Sequence, residues 1–127
     1  MKLILVDKKD IATFAREEVL RDQYHHNVDY AFTLDEFKTK FAVGKYRVAI
    51  VDFAVEAGAH ALEHIDRLDP KQRVIIISAS EGYSEPHGCA YCAEHYNRRR
   101  LRKPISVMDL AGLISNFDYS PCTYYHD

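Results

Sequence analysis

Within Arg73-Val74-Ile75-Ile76-Ile77-Ser78-Ala79 four consecutive β-branched residues follow one another with no polar alternation. A strand with one wet face alternates apolar and polar residues. An unbroken run of this length is expected of a strand covered on both faces, as in a parallel sheet sandwiched between helices. The neighbouring segments fit that reading. Upstream, Tyr46 to Val51 is apolar nearly throughout and ends on an acid, Asp52. Further upstream, Lys2 to Val6 is a short apolar strand that also ends on an acid, Asp7. Asn27 to Phe32 reads as a weaker strand with Val28, Tyr30 and Phe32 on one side, and Arg99 to Arg102 as a short last one before Lys103-Pro104.

The intervening segments change to a helical period. Asp10 can cap a helix with Ile11, Phe14, Ala15 and Val19 on its inner face. Thr33-Leu34-Asp35-Glu36 is a capping-box signature opening a helix that buries Leu34, Phe37 and Phe41, with Gly44 at its end. Ala57 to Leu68 places Ala61, Leu62, Ile65 and Leu68 inward until Asp69-Pro70 stops it. A further helix is expected after Pro86. Ser106 can cap a last helix with the stripe Val107, Leu110, Leu113, Ile114 and Phe117. Five strands alternating with five helices predict an α/β fold with a parallel sheet and right-handed crossovers. Residues 1–118 form one domain in this reading, and 119–127 a polar, aromatic tail.

In such folds ligands sit outside the carboxyl ends of the strands. That rule selects Asp7, Asp52, Ser78 and Lys103. Two carboxylates, a hydroxyl and an ammonium converging there suit a divalent cation and a phosphoryl group. Acids that merely open loops would account for neither the apolar strands nor the Lys-Pro.

At this point the chain resembles the receiver domains of two-component response regulators. The resemblance rests on Leu5-Val6-Asp7, Ala49-Ile50-Val51-Asp52, Ile75-Ile76-Ile77-Ser78-Ala79 and Arg102-Lys103-Pro104-Ile105, with the two acids 45 positions apart. It implies a flavodoxin-like, doubly wound five-stranded sheet of order 2-1-3-4-5 with helices on both faces. It also implies that Asp52 is the phospho-acceptor, Ser78 the switch hydroxyl and Lys103 the phosphate-binding lysine. Asp7, Asp52 and the Ala54 carbonyl would then be the Mg²⁺ ligands. The implied function is that of a single-domain, non-enzymatic signalling protein of a phosphorelay. It would be phosphorylated by a histidine kinase or phosphotransfer protein and signal through the surface of the fourth helix, fifth strand and last helix, where a second protomer can also dock.

Three features depart from the family's pattern. Lys8 stands where a second acid usually supplies a direct metal ligand, which weakens the Mg²⁺ site. The loop after Asp52 lacks the usual proline, and Ser78 follows Asp52 by only 26 positions. Arg100 occupies the position, three before the lysine, that usually holds a switch aromatic. A pseudo-receiver, acting as an interaction module without phosphorylation, is therefore the alternative.

A third and distant class uses His87, Cys89, Cys92 and His95, four soft ligands within nine residues, as a zinc or thiol sensor. One helix closes a tetrahedral zinc site poorly, so packing of the two cysteines is the plainer reading. His60 and His64, spaced for a helix face, are expected to face solvent for want of a third ligand.

Charge and composition bound the rest. The 127 residues carry a net charge of −2, but Arg98, Arg99, Arg100, Arg102 and Lys103 fall in six consecutive positions. The other residues carry 12 positive against 19 negative charges, a body of −7. A general nucleic-acid coat is excluded, and a five-charge block offers few phosphate contacts. The natural complement of the Arg98–Lys103 region is an acidic partner surface or an acidic helix of the same protein. On an edge strand the arginines would also discourage edge-to-edge pairing. With 47% hydrophobic and 28% charged residues the chain is globular, not disordered. Three cysteines and no long apolar run argue against a disulfide scaffold, a leader or a membrane span. The expected location is the cytoplasm.

Overall fold

The computed structural model describes residues 2–8, 11–78, 97–102 and 105–117. Five strands, β1 (Lys2–Val6), β2 (Asn27–Ala31), β3 (Val48–Asp52), β4 (Val74–Ser78) and β5 (Arg98–Arg102), form one sheet of order β2-β1-β3-β4-β5. All four neighbour pairs are parallel. Four helices complete the described chain: α1 (Ile11–Asp22), α2 (Leu34–Lys40), α3 (Glu56–Leu68) and α4 (Val107–Ser115). The flavodoxin-like order expected from the resemblance is the one observed.

Every residue of β3 and β4 is buried, as the unbroken apolar runs require. Alternate side chains feed two separate cores. Ile4, Val6, Ala49, Val51, Val74 and Ile76 pack on the side of α2 and α3, with Phe37, Ala61 and Ile65. Leu3, Leu5, Val48, Ile50, Ile75 and Ile77 pack on the other side, with Leu20 of α1 and Leu110 and Ile114 of α4. Each fully buried valine, leucine, isoleucine or phenylalanine among them contributes roughly 1.5–3 kcal/mol. Two-sided burial is therefore what holds the three central strands in place and presents their carboxyl ends at one level.

The caps are formed as expected. Thr33 Oγ1 accepts the Glu36 N–H at 3.1 Å, and the Glu36 carboxylate accepts the Phe32 N–H at 3.0 Å. β2 ends at Ala31 rather than Phe32. Ser106 Oγ accepts the Asp109 N–H at 3.4 Å at the start of α4. Phe37, Phe41, Leu110, Ile114 and Phe117 are buried as predicted.

Three expectations are corrected. Among the α1 side chains described (14–22), the buried ones are Glu17 and Leu20, whereas Ala15 is exposed and Phe14 lies over the edge of the sheet, its ring edge-on to Tyr30 and Phe32 at 5.3 and 5.9 Å. Leu68 is exposed because α3 ends there. The largest correction concerns the arginine block as an acidic-partner surface. Arg98 is wholly buried on β5, and its guanidinium donates to the Asp66 carboxylate of α3 and to the Gln72 carbonyl. Arg99, also buried, donates to the carbonyls of Arg98 at 2.9 Å and Phe117 at 3.3 Å, with its guanidinium 4.7 Å from the Phe117 ring centroid. Long stems and five N–H donors let an arginine cross the core and satisfy carbonyls beyond it. The acidic complement of Arg98 is thus a helix of the same chain. Arg100 is half-buried.

The segment holding His87, Cys89, Cys92 and His95, the helix expected after Pro86, the Asp10 cap, Lys103 and the tail lie outside the described residues.

Candidate functional site

Asp7 follows the last residue of β1, Asp52 ends β3 and Ser78 ends β4. Val6 is level with Val51 and Asp52 with Ile77, so the parallel register brings these three residues to one row at the carboxyl end of the sheet. All three are nearly sealed from solvent: Asp7 is 1% exposed, Asp52 2% and Ser78 2%.

Both carboxylate oxygens of Asp7 are engaged. Oδ1 accepts the backbone N–H of Lys8 at 2.7 Å, and Oδ2 accepts Nη2 of Arg16, from α1, also at 2.7 Å. Asp7 titrates above its ordinary range, chiefly because burial penalises its charge. The Lys8 N–H and the Arg16 guanidinium pull the other way, and the neighbouring Asp52 charge pushes it up further. Arg16 keeps 18% of its side chain exposed, yet its Nε is buried without a hydrogen-bond partner among the described residues. The Lys8 residue itself is exposed.

Asp52 is held by the turn that follows it. Its Oδ1 accepts the Ala54 N–H at 2.9 Å, and its carbonyl accepts the Val55 N–H at 3.1 Å. The first turn of α3 then lies directly on the strand end. A Cβ on Gly58 would fall 2.0 Å from the Asp52 carbonyl oxygen, so only glycine admits that approach. The short loop after Asp52 is possible because of it. Ser78 Oγ, by contrast, is buried with no hydrogen-bond partner among the described residues. An orphaned buried hydroxyl is costly unless something is to be bound there.

The structure therefore brings together Asp7, Asp52 and Ser78 of the expected site, with Ala54 in the turn beside them. Two participants were missed in the sequence. Arg16 lies outside any apolar stripe, and hydrophobic periodicity is blind to it. Gly58 left one faint signal, a glycine in the first turn of a helix. His60 is exposed beside Glu56 and Glu63, whereas His64 is half-buried, edge-on to Phe37.

The donor set was tested against the divalent cation that the resemblance implies. Mg²⁺ takes carboxylate oxygens directly and demands near-octahedral geometry. Here the guanidinium of Arg16 already holds one oxygen of Asp7, and a backbone N–H holds the other. Among the described residues no group of three or more His, Cys, Asp or Glu side chains is placed to hold a metal ion. A divalent ion here would have to share an Asp7 oxygen with the Arg16 guanidinium or displace it. No described helix is long and apolar enough to cross a membrane.

No protein-family model matches the sequence, and no curated protein matches it. Solved structures do match. A CheY-like response regulator receiver domain protein from Methanospirillum hungatei superposes with a TM-score of 0.71 at 19% identity, over 91% of each chain. A response regulator receiver domain from Clostridium thermocellum does so with a TM-score of 0.68 at 21% identity, again over 91% of each. The non-phosphorylated HemR receiver domain from Leptospira biflexa gives a TM-score of 0.74 at 14% identity over 98% of each.

Proposed function

We propose that this chain, which has the fold of the response-regulator receiver domains, accepts a phosphoryl group on Asp52 and passes the change on as a signal. The observation that carries the reading is the row of Asp7, Asp52 and Ser78, two sealed carboxylates and a sealed hydroxyl with no partner among the described residues, at the carboxyl ends of adjacent strands. In the step itself an Asp52 carboxylate oxygen attacks phosphorus and the bond from phosphorus to the donor breaks. With acetyl phosphate the leaving group is acetate, which keeps the bonding pair. The Ser78 hydroxyl then donates to a phosphoryl oxygen. Lys103, just beyond β5, would supply an ammonium to the same oxygens, as the resemblance implies. The physiological donor in this reading is a histidine kinase or phosphotransfer protein. The response spreads through β4 to β5 and α4, the region that would meet a downstream partner or a second protomer.

A second reading, the same fold used as an interaction module without phosphorylation, is favoured by one observation: Asp7 already has a cation on it. Intact-mass spectrometry after incubation with acetyl phosphate, with and without Mg²⁺, separates the two. One phosphoryl adduct is expected, and Asp52→Asn abolishes it. If no adduct forms with acetyl phosphate or with a phosphorylated histidine kinase, the phospho-acceptor reading is wrong and the interaction module stands.

A further inference from the structure

The amino ends of the same three strands carry the opposite charge. Lys2 opens β1, Arg47 immediately precedes β3 and Arg73 immediately precedes β4. Leu3 is level with Val48 and Ala49 with Val74, so the parallel register sets these cations at the end of the sheet away from Asp7, Asp52 and Ser78. The Arg47 N–H donates to the Lys2 carbonyl at 2.8 Å and the Ala49 N–H to the Arg73 carbonyl at 2.9 Å, which fixes the row. Two loops bring further lysines. Gly44, at φ +80°, closes the turn that leads to Lys45, and Lys71 lies between α3 and β4. The buried Gln72 amide donates to the carbonyls of Tyr46 at 3.2 Å and Arg73 at 3.0 Å, tying one loop to the other. The loops and strand ends border an open cleft of about 490 Å³, whose described charged lining is Lys2, Lys45, Arg47, Lys71, Arg73 and the single acid Asp69.

Outside this lining and the Arg98–Lys103 block, the chain has seven positive and 18 negative residues. Cations are thus gathered here on an acidic body. The lysines' local partners offset little of the charge. Lys45 Nζ donates to the Lys40 carbonyl at 3.2 Å, which satisfies a donor and leaves the charge in place. Lys2 Nζ is 3.8 Å from Asp29 with both side chains partly exposed, an ion pair of small worth. Asp69 is turned onto the Lys71 backbone N–H at 3.2 Å. Arg47 and Arg73 make contacts within the protein too, and their guanidinium charge is permanent. A cleft lined mainly by one sign of charge focuses its field and concentrates counter-ions.

We propose that this cleft binds a di- or triphosphate group, free or carried by a nucleotide. Such a group packs several negative charges into a small volume, which converging cations match better than they match one carboxylate. Lysine meets phosphate as a point charge and arginine as a planar fork. The Tyr46 ring is 4% exposed and already has the Lys45 ammonium 5.3 Å from its centroid, so it offers no face for a base. Recognition therefore lies with the phosphates. The cleft needs no phosphoryl group on Asp52, so the two proposals stand or fall separately.

The test is isothermal titration calorimetry on the full chain, metal-free and at about 0.15 M ionic strength, with inorganic triphosphate, orthophosphate and ATP as probes. Wild type is expected to bind one triphosphate at least about tenfold more tightly than orthophosphate, since each added charge meets a further cation. Lys71→Gln, at an exposed position, should weaken triphosphate binding at least about threefold, and Lys2→Gln/Lys71→Gln at least about tenfold. Lys38→Gln removes the same charge from the exposed face of α2, outside the cleft, and should bind as wild type does. ATP bound as tightly as triphosphate makes a nucleotide the source, and weaker ATP binding makes it free polyphosphate. No saturable triphosphate binding, or equal losses in Lys38→Gln and Lys71→Gln, overturns the proposal. Should the double variant fail to fold by circular dichroism, Lys71→Glu replaces it, with the same tenfold loss expected and wild-type affinity counting against the cleft.

A second arm locates the anion. In amide NMR spectra triphosphate should shift Gly44, Lys45, Gln72 and Arg73, and Asp52→Asn should leave its affinity unchanged. A triphosphate that instead shifts Lys8 and Ala54, and is lost in Asp52→Asn, belongs to the acid row. That result refutes the cleft and leaves the phospho-acceptor reading intact.

Discussion

Arg16 and Arg98 each reach an aspartate on a neighbouring element, yet the two pairs are built differently. Arg98 is wholly buried, crosses from β5 to α3, and satisfies both the Asp66 carboxylate and the Gln72 carbonyl. Asp66 keeps 32% of its side chain in contact with solvent. At the other pair the burial is reversed: Asp7 is sealed and Arg16 is the partly exposed partner. A sealed arginine tied to backbone carbonyls is a structural tie between layers. A sealed carboxylate next to a second carboxylate, held by an arginine that still touches water, is a charge site open to ligand exchange. Burial of the cation or of the anion thus separates architecture from chemistry.

The largest effect that would break this contrast lies at Arg98. Arg98→Ala leaves a void, strands the Gln72 carbonyl and removes the partner of Asp66, so a loss of about 3–5 kcal/mol is expected in urea denaturation. Arg98→Met, which refills the volume, should recover part of it. A loss no greater than that of an ordinary surface substitution would show that β5 does not depend on this tie.

A smaller effect is expected at the other pair. Arg16→Gln should cost about 1–2 kcal/mol in the same assay, because Arg16 already meets water and Asp7 can take up a proton instead. Equal losses at the two arginines would erase the distinction drawn above.

The smallest effect is a titration. Carboxyl carbon NMR should place the Asp7 midpoint above the ordinary 3.8, since burial outweighs its two donors. Arg16→Gln should move it higher still, by removing a group that lowers it, and Asp52→Asn should move it lower. The sign for stability follows from linkage. Folded Asp7 holds its proton to a higher pH than the unfolded chain does. Its contribution is therefore full below 3.8 and is lost as pH rises through the folded midpoint. A midpoint at or below 3.8 would mean that Arg16 compensates the charge completely.

Much of the site was legible because the same forces that shape the strands also mark their ends. Val74 to Ile77 is unbroken because helices cover both faces, and the first polar residues after such runs, Asp7, Asp52 and Ser78, emerge together at one row. Thr33 and Ser106 were legible as caps for an equally local reason: side-chain oxygens satisfy N–H groups within three residues. Arg98 and Arg99 were misread because charge in a sequence says nothing about where a long side chain ends. In the fold they reach carbonyls of Gln72 and Phe117, 26 and 18 residues away.

By itself, then, the sequence determined the alternation of buried strands and helices, the parallel sheet and the identity of the acids at its carboxyl end. Those follow from short-range periodicity and from which residues can bear burial. Only the tertiary structure decided which cation serves which acid. Arg16 on Asp7 and Arg98 on Asp66 join residues on different elements, and the choice between them depends on how α1 and α3 pack against the sheet. The close seat of α3 on Asp52, which Gly58 alone permits, belongs to the same class, because a backbone-to-backbone approach leaves almost no periodic trace.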